Sequence, residues 1–272
     1  MNNLSVEIHG TDLPWEVVLR SDIGGREEQQ DCVYAYADPF DALAIVCDGM
    51  GGTENGGRAS RIAVDSMREL FEEFKAQYPR GDTVQFLGQA MVTLDARVSQ
   101  ELGKQKGGTT AVAAILQDGK LYWFSVGDSR LYIFRNGELV QATRDHNYLL
   151  CLNEQLQRGE ITQEVFLREL ERGEALISFM GVGGLPVYDL TNAPLNLKEG
   201  DILLLTTDGL YKAIPQGLIQ HILRGGNPLS EKADKLMTQI AVLKKTIVLD
   251  NTTFALIKIN EGAVDDEEDQ VR

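Results

Sequence analysis

The chain has 272 residues, 43% of them hydrophobic, and a formal net charge of −15. That length allows one large domain or two small ones, and the charge argues against a nucleic-acid partner, which needs a basic face. No run approaches the ~20 apolar residues of a membrane span, and the N-terminus lacks the basic and apolar regions of a signal peptide, so we predict a cytoplasmic protein without a membrane partner.

The first part of the chain predicts a strand followed by two helices. An apolar run at residues 42–46 leads into the glycine-rich stretch CDGMGGTENGG. Apolar residues then recur at steps of three and four over residues 58–78 and again over residues 84–98. This is the period of amphipathic helices, and we assign the two apolar stripes to the core.

The middle of the chain changes to short β-rich runs. They cover residues 109–143 and are separated by Asp118-Gly119, Gly127-Asp128 and Asn136-Gly137. Asp-Gly and Asn-Gly between such runs are strong hairpin signals. We therefore predict an antiparallel meander.

The last part contains a polar insertion, predicted to be helical, at about residues 147–174, and strands near residues 201–207 and 252–259. This order of elements is typical of an α+β fold, not of the regular alternation in a parallel-sheet fold. No Ser/Pro-rich linker divides the chain. We predict one domain at residues 1–260 and an acidic, disordered tail at residues 261–272.

Three apolar runs, AIVC, ILLLTT and TIVL, end at Asp48, Asp208 and Asp250, and each aspartate is followed by Gly or Asn. Asp128 stands at a similar exit. Each aspartate could be an independent turn residue. A phosphate-binding P-loop is not supported, because no Gly-Lys-Ser/Thr follows the glycines. If the strands lie side by side, however, the carboxylates converge, and such a group needs a cation.

The ligand types indicate which cation would bind. Oxygen ligands without nearby His or Cys favour magnesium, manganese or calcium over zinc. The glycine after Asp48 would also let the backbone approach an ion or its waters. We therefore favour a metal site over independent turns.

Seven motifs follow one another along the chain: SDIGGREEQQD, CDGMGG, GGTTAVAAI, SVGDSRLYIFRNG, TRDHN, GDILLLTTDGLY and DNTT. In this order they resemble the metal-dependent protein serine/threonine phosphatases of type 2C in their bacterial form. The resemblance spans about residues 17–259. It implies a four-layer α-β-β-α sandwich of two antiparallel sheets flanked by helices.

The resemblance also implies a set of site residues. Asp48 would bridge two metal ions, and Gly49 would contribute its backbone carbonyl. Asp208 and Asp250 would complete the shell of the first ion. Arg26 would grip the substrate phosphate, a role that suits its planar guanidinium. The implied cofactors are two Mn²⁺ or Mg²⁺ ions, which lower the pKa of a shared water and so activate it.

The resemblance implies two further site residues, and at three positions this sequence departs from residues common in the family. Asp31 would hold metal-bound water, and Asp128 would bind a third, weaker ion. Gln30 stands where the family most often has Glu, so we expect weaker affinity at the second metal. Lys212 stands where an acidic residue usually helps Asp128, so either the third ion does not bind or the ammonium takes its place; a solvent-facing lysine is the alternative. Met50 replaces a histidine found in eukaryotic relatives.

The resemblance implies hydrolysis of phosphoserine and phosphothreonine in proteins, with substrates supplied by a bacterial-type Ser/Thr kinase. The alternative is a catalytically weakened regulatory or phosphoprotein-binding module, which Gln30 and Lys212 keep open. The insertion matches the family's variable flap, residues 147–184, where substrate choice could reside.

Overall fold

A computed structural model describes residues 3–10, 13–51, 54–78 and 81–260. Its strands are β1 Asn3–Ile8, β2 Trp15–Asp22, β3 Cys32–Ala37, β4 Asp41–Cys47, β5 Gly49–Met50, β6 Gly108–Thr109, β7 Ala111–Gln117, β8 Lys120–Val126, β9 Arg130–Arg135, β10 Glu138–Gln141, β11 Asp189–Leu190, β12 Leu195–Asn196, β13 Ile202–Thr206 and β14 Thr252–Ile259. The helices are α1 Glu54–Gln77, α2 Thr83–Leu102, α3 Tyr148–Gln157, α4 Gln163–Glu169, α5 Asp208–Tyr211, α6 Gln216–Arg224 and α7 Leu229–Leu243, with a 3₁₀ turn at Leu170–Arg172.

The strands form two main antiparallel sheets. Sheet A has the order β1-β2-β14-β13-β9-β10, and sheet B has the order β11-β8-β7-β4-β3, with β12 also paired to β8. The short strands β5 and β6 pair separately. The antiparallel prediction is confirmed.

Three apolar clusters hold four layers together. Residues of α1 and α2 pack on the outer face of sheet B, and residues of α6 and α7 pack on the outer face of sheet A. The inner faces of the two sheets pack against each other through the third cluster. Burial of these faces is the main stabilising term of the fold. The predicted α-β-β-α sandwich is therefore confirmed.

The prediction of a single meander was wrong in one respect. The turns at Asp118 and Asn136 close hairpins, and both residues have the positive φ that such two-residue turns require, 49° and 53°. At Gly127, in contrast, the chain leaves sheet B and enters sheet A, because β8 and β9 belong to different sheets. The meander is thus two hairpins joined by a crossing.

The TIVL run before Asp250 is not a strand, contrary to expectation. The backbone N–H groups of Thr246 and Ile247 both donate to the Leu243 carbonyl, so the chain forms turns after α7. Val248 is 82% exposed. Strand β2 ends at Asp22, opposite Thr252, so it offers no partner to residues before β14. Without a partner, β-branched residues do not form a strand.

The insertion is helical as predicted and contains α3 and α4. The predicted disordered tail at residues 261–272 lies outside the described residues. In the part of the chain that the structure describes, no helix is long and apolar enough to cross a membrane.

Candidate active site

A cleft of roughly 680 Å³ opens at one edge of the sandwich. Asp48 follows the end of β4, and Asp208 follows the end of β13. Asp250 precedes β14 and Asp31 precedes β3. In antiparallel pairs, the end of one strand lies beside the start of the next. The topology therefore brings these aspartates, from distant parts of the sequence, to the same edge.

The backbone of Asp48 is fixed by two threonines. Its N–H donates to Thr110 Oγ1 at 3.0 Å, and its carbonyl accepts from Thr110 N and Thr109 Oγ1, both at 2.9 Å. Thr110 Oγ1 also lies 2.6 Å from Ser129 Oγ. These bonds hold the backbone of Asp48 in place and do not involve its carboxylate, and Asp48 lines the cleft.

Two of the carboxylates lie beside cationic side chains. Arg26 Nη2 is 2.6 Å from Asp250 Oδ2, and Lys212 Nζ is 2.8 Å from Asp208 Oδ2. Both cations line the cleft. The second oxygen of Asp208 is buried without a hydrogen-bond partner.

Asp31 is buried, at 8% exposure, and is not among the residues that line the cleft. Its Oδ2 accepts a hydrogen bond from Thr207 Oγ1 at 2.9 Å, and its Oδ1 has no partner. Burial, with smaller contributions from the charges of Asp208 and Asp250, raises its pKa to about 7. Asp31 thus belongs electrostatically to the same group.

Asp128 occupies the crossing between the sheets. Burial raises its pKa to about 6; the charge of Asp208 adds to this shift, and that of Lys212 opposes it. Tyr211 donates to the Asp128 carbonyl at 3.0 Å, and the Arg130 guanidinium stacks 3.5 Å from the Tyr211 ring. These contacts hold Asp128 in place.

Gly49 lies where no side chain would fit. A Cβ there would be 2.2 Å from Gly56 O and 2.6 Å from Gln30 O. The N–H of Gly49 donates to Gln30 O at 3.2 Å, and the Gln30 N–H donates to Asn251 Oδ1 at 2.8 Å. Asn251 therefore links the loop that carries Arg26 to the strand that follows Asp250.

The electrostatics of Asp48 indicate what the site can hold. Burial, followed by the charges of Asp31, Asp208, Asp128 and Asp250, raises the pKa of Asp48 well above its ordinary value. A divalent cation would relieve this repulsion. The donors are all oxygens, which suits Mg²⁺ or Mn²⁺.

These carboxylates do not form a ready-made ligand set. Among the described residues, no three His, Cys, Asp or Glu side chains meet at one point that could hold an ion. Asp208 and Asp250 are instead engaged with Lys212 and Arg26. The donor chemistry and the unpartnered oxygens of Asp208 and Asp31 fit a cation. Asp208 could offer its unpartnered Oδ1 to an ion while Oδ2 stays paired with Lys212, whereas Asp250 would exchange its ion pair with Arg26 for the metal.

Comparison with known proteins places the chain in a family. Residues 20–241 match the family model of Protein phosphatase 2C. The chain belongs to the protein phosphatase 2C family. The predicted family and enzyme class are thus confirmed.

Individual relatives agree with the family match. This phosphatase is 32% identical over 201 residues to serine/threonine phosphatase stp of Listeria innocua, an alignment that covers 72% of this chain and 77% of the relative. The solved serine/threonine phosphatase of S. agalactiae superposes with a TM-score of 0.74 at 26% identity, covering 90% of this chain and 100% of that one. The catalytic domain of PstP in complex with 2 manganese ions gives a TM-score of 0.71 at 26% identity, covering 91% and 99%.

Most of the predicted site residues line the cleft, whereas Asp31 is buried and does not line it. Sequence reasoning did not single out Thr110, Thr207 or Asn251, although each lies within or beside a quoted motif. It also missed Glu174, which reaches the cleft from the flap. The residues that line the cleft and were predicted are Arg26, Gln30, Asp48, Gly49, Asp128, Asp208 and Asp250.

Proposed function

We propose that this phosphatase hydrolyses phosphoserine and phosphothreonine in proteins with the help of two divalent ions, Mn²⁺ or Mg²⁺. The observation that carries the proposal is the group of mutually repelling carboxylates around Asp48, in a cleft that also contains Arg26. The names of the relatives and the manganese-bound PstP neighbour support it.

The residues that would hold the ions follow from the cleft. Asp48 would serve both ions, with the Gly49 carbonyl, Asp208 and Asp250 as further ligands. Gln30 and Asp31 would act on bound water, since an amide and a buried carboxyl can both accept from it. When bound, two such ions lower the pKa of water and stabilise charge on phosphoryl oxygens.

The chain's own side chains would orient the substrate. The Arg26 side chain is 58% exposed, and its ion pair with Asp250 engages Nη2. A guanidinium has further donors that match the oxygens of a phosphoryl group. Arg26 would therefore bind and align the phosphate, and Asp48 would be held in position by Thr110. No side-chain nucleophile is needed for this reaction type.

The flap supplies part of the cleft wall. Glu174, Leu176 and Phe179 line the cleft, so a protein substrate would contact the flap as its phosphorylated residue enters. This placement supports a role of residues 147–184 in substrate choice. A bacterial-type Ser/Thr kinase as the source of substrate, and a cytoplasmic location, stay predictions.

The test is hydrolysis of a chromogenic phosphomonoester and a phosphothreonine peptide by the purified protein. We expect turnover that rises with Mn²⁺ or Mg²⁺ and is lost with chelator. Asp48→Asn should abolish turnover. Asp118→Asn is the matched control, because Asp118 occupies an exposed turn of positive φ that asparagine tolerates.

Full activity of Asp48→Asn would refute the proposal. If the folded wild type bound Mn²⁺ but hydrolysed neither substrate, the alternative of a weakened regulatory module would be favoured. Gln30, an amide in place of a carboxylate, and Lys212, an ammonium where an acidic residue is usual, are the features on which that alternative depends.

A further inference from the structure

The ammonium group of Lys212 forms ion pairs with carboxylates from two different parts of the molecule. It follows α5, one turn after Asp208, and its side chain is 41% exposed. Its Nζ lies 2.8 Å from Asp208 Oδ2 and 3.1 Å from Glu174 Oε2. Asp208 belongs to the cleft floor, whereas Glu174 belongs to the flap.

Asp128 lies within reach of the same charge. Asp128 and Lys212 line the same cleft, and the Asp128 carbonyl accepts a hydrogen bond at 3.0 Å from Tyr211, the residue before Lys212. The charges of Asp208 and Lys212 act on the Asp128 carboxylate in opposite directions. Asp128 is 6% exposed, so bulk solvent screens these interactions only weakly. A divalent ion at Asp128 would therefore meet an ammonium that is already paired with the neighbouring carboxylate. The residues around Asp128 do not fit a third divalent ion.

We propose that Lys212 is a positioning residue that acts as a built-in cation for Asp208 and Asp128, replaces a third divalent ion, and ties the flap to the cleft floor through Glu174. This inference rests on the proposed two-metal phosphatase. A lysine that merely faces solvent would not hold two carboxylates from separate elements at hydrogen-bonding distance.

The first test counts Mn²⁺ ions per chain by equilibrium dialysis of the full-length protein. Asp128→Asn in the wild-type background should leave the count unchanged, because Asp128 binds no ion while Lys212 is present. Lys212→Asp should add about one ion per chain. That additional ion should be lost again in the double variant Lys212→Asp/Asp128→Asn.

Two results would overturn the replacement of the third ion. One is a wild-type count that falls by one in Asp128→Asn. The other is a folded Lys212→Asp protein whose count equals that of the wild type. If Lys212→Asp does not fold, the Asp128→Asn comparison alone decides. These counts are separate from turnover, so failure of the proposed function would appear instead as a wild type that binds Mn²⁺ without hydrolysing phosphoesters.

The second test follows hydrogen exchange in the flap. The Ala175 N–H donates to Arg172 O beside Glu174 and reports local opening. Lys212→Met and Glu174→Gln should each speed its exchange by up to about fivefold, the range for an exposed ion pair. The double variant should be no faster than either single one.

A matched lysine provides the control. Lys244 forms an ion pair with Asp22 at 2.8 Å, and its side chain is 36% exposed. Lys244→Met should leave flap exchange unchanged. Exchange at Ala175 that is equal in the wild type and Lys212→Met would overturn the tie between flap and cleft floor.

Discussion

Thr110→Val tests whether the position of Asp48 depends on one hydroxyl. Valine keeps the branched shape of threonine, so the contact of the side chain with Gly127 is retained. The substitution removes the acceptor of the Asp48 N–H and the hydrogen-bond partner of Ser129. Thr110 and Ser129 are buried, at 1% and 0% exposure, so water does not replace these bonds.

The expected cost follows from those two losses. Each buried polar group left without a partner costs about 1–3 kcal/mol, so the two losses should lower the free energy of unfolding by about 2–6 kcal/mol. Because one of the three hydrogen bonds to the Asp48 backbone is then lost, Asp48 is held less firmly, and kcat/KM should fall about tenfold or more under conditions where the variant is folded.

The assay combines urea unfolding with phosphomonoester hydrolysis in Mn²⁺. Thr191→Val is the control, since Thr191 Oγ1 accepts from Trp123 N and donates to Trp123 O, both at 2.9 Å, away from the cleft. It should lose comparable stability but keep its activity. If Thr110→Val lost the same stability as Thr191→Val and kept full activity, the reasoning about Asp48 would be refuted.

Two further predictions concern stability. Burial is the largest single effect on Asp38 and raises its pKa, but the hydrogen bonds from Lys75, from Tyr36 and from the backbone N–H groups of residues 40 and 41 together outweigh it, and the pKa falls from 3.8 to about 2. The ionised form therefore stabilises the fold above about pH 4, and that contribution is lost as the pH falls towards 2. Lys75→Met should make the free energy of unfolding, measured with urea, less dependent on pH in this range. The same pH dependence in Lys75→Met and the wild type would contradict this prediction. Gly49→Ala should cost about 1–3 kcal/mol and weaken Mn²⁺ binding in calorimetry, because its Cβ would overlap the backbone of Gly56. Gly217→Ala in α6 is the control and should not destabilise the protein, because a Cβ at that position would have no atom within 4 Å. Equal effects of the two substitutions would argue against the overlap at Gly49.

Much of the candidate site could be predicted because its signals are local. A buried strand that ends on an aspartate followed by Gly is readable without knowledge of the fold, as at Asp48 and Asp208. The hairpins at Asp118 and Asn136 are readable because their backbone angles demand particular residues. The seven motifs then made the family recognisable.

The errors occur where distant partners decide the structure. Gly127 carries a turn signal, but that signal does not tell whether the next strand pairs with the same sheet or enters another. The run before Asp250 has β-forming residues yet no neighbouring strand. The ion pair between Lys212 and Glu174 joins residues 38 positions apart across the flap, and no local pattern specifies it.

The inner face of sheet B contributes three alanines to the cluster between the sheets, Ala42, Ala44 and Ala114. Asp48 extends from this sheet, whereas Asp208 and Asp250 extend from the opposite one. Because these side chains are small, the two sheets can approach closely. The spacing between the sheets in turn sets the distance between Asp48 on one side and Asp208 and Asp250 on the other. The apolar side chains between the sheets therefore help to set the distances between the carboxylates of the cleft. A larger side chain at Ala44 would alter catalysis from a position that no substrate touches.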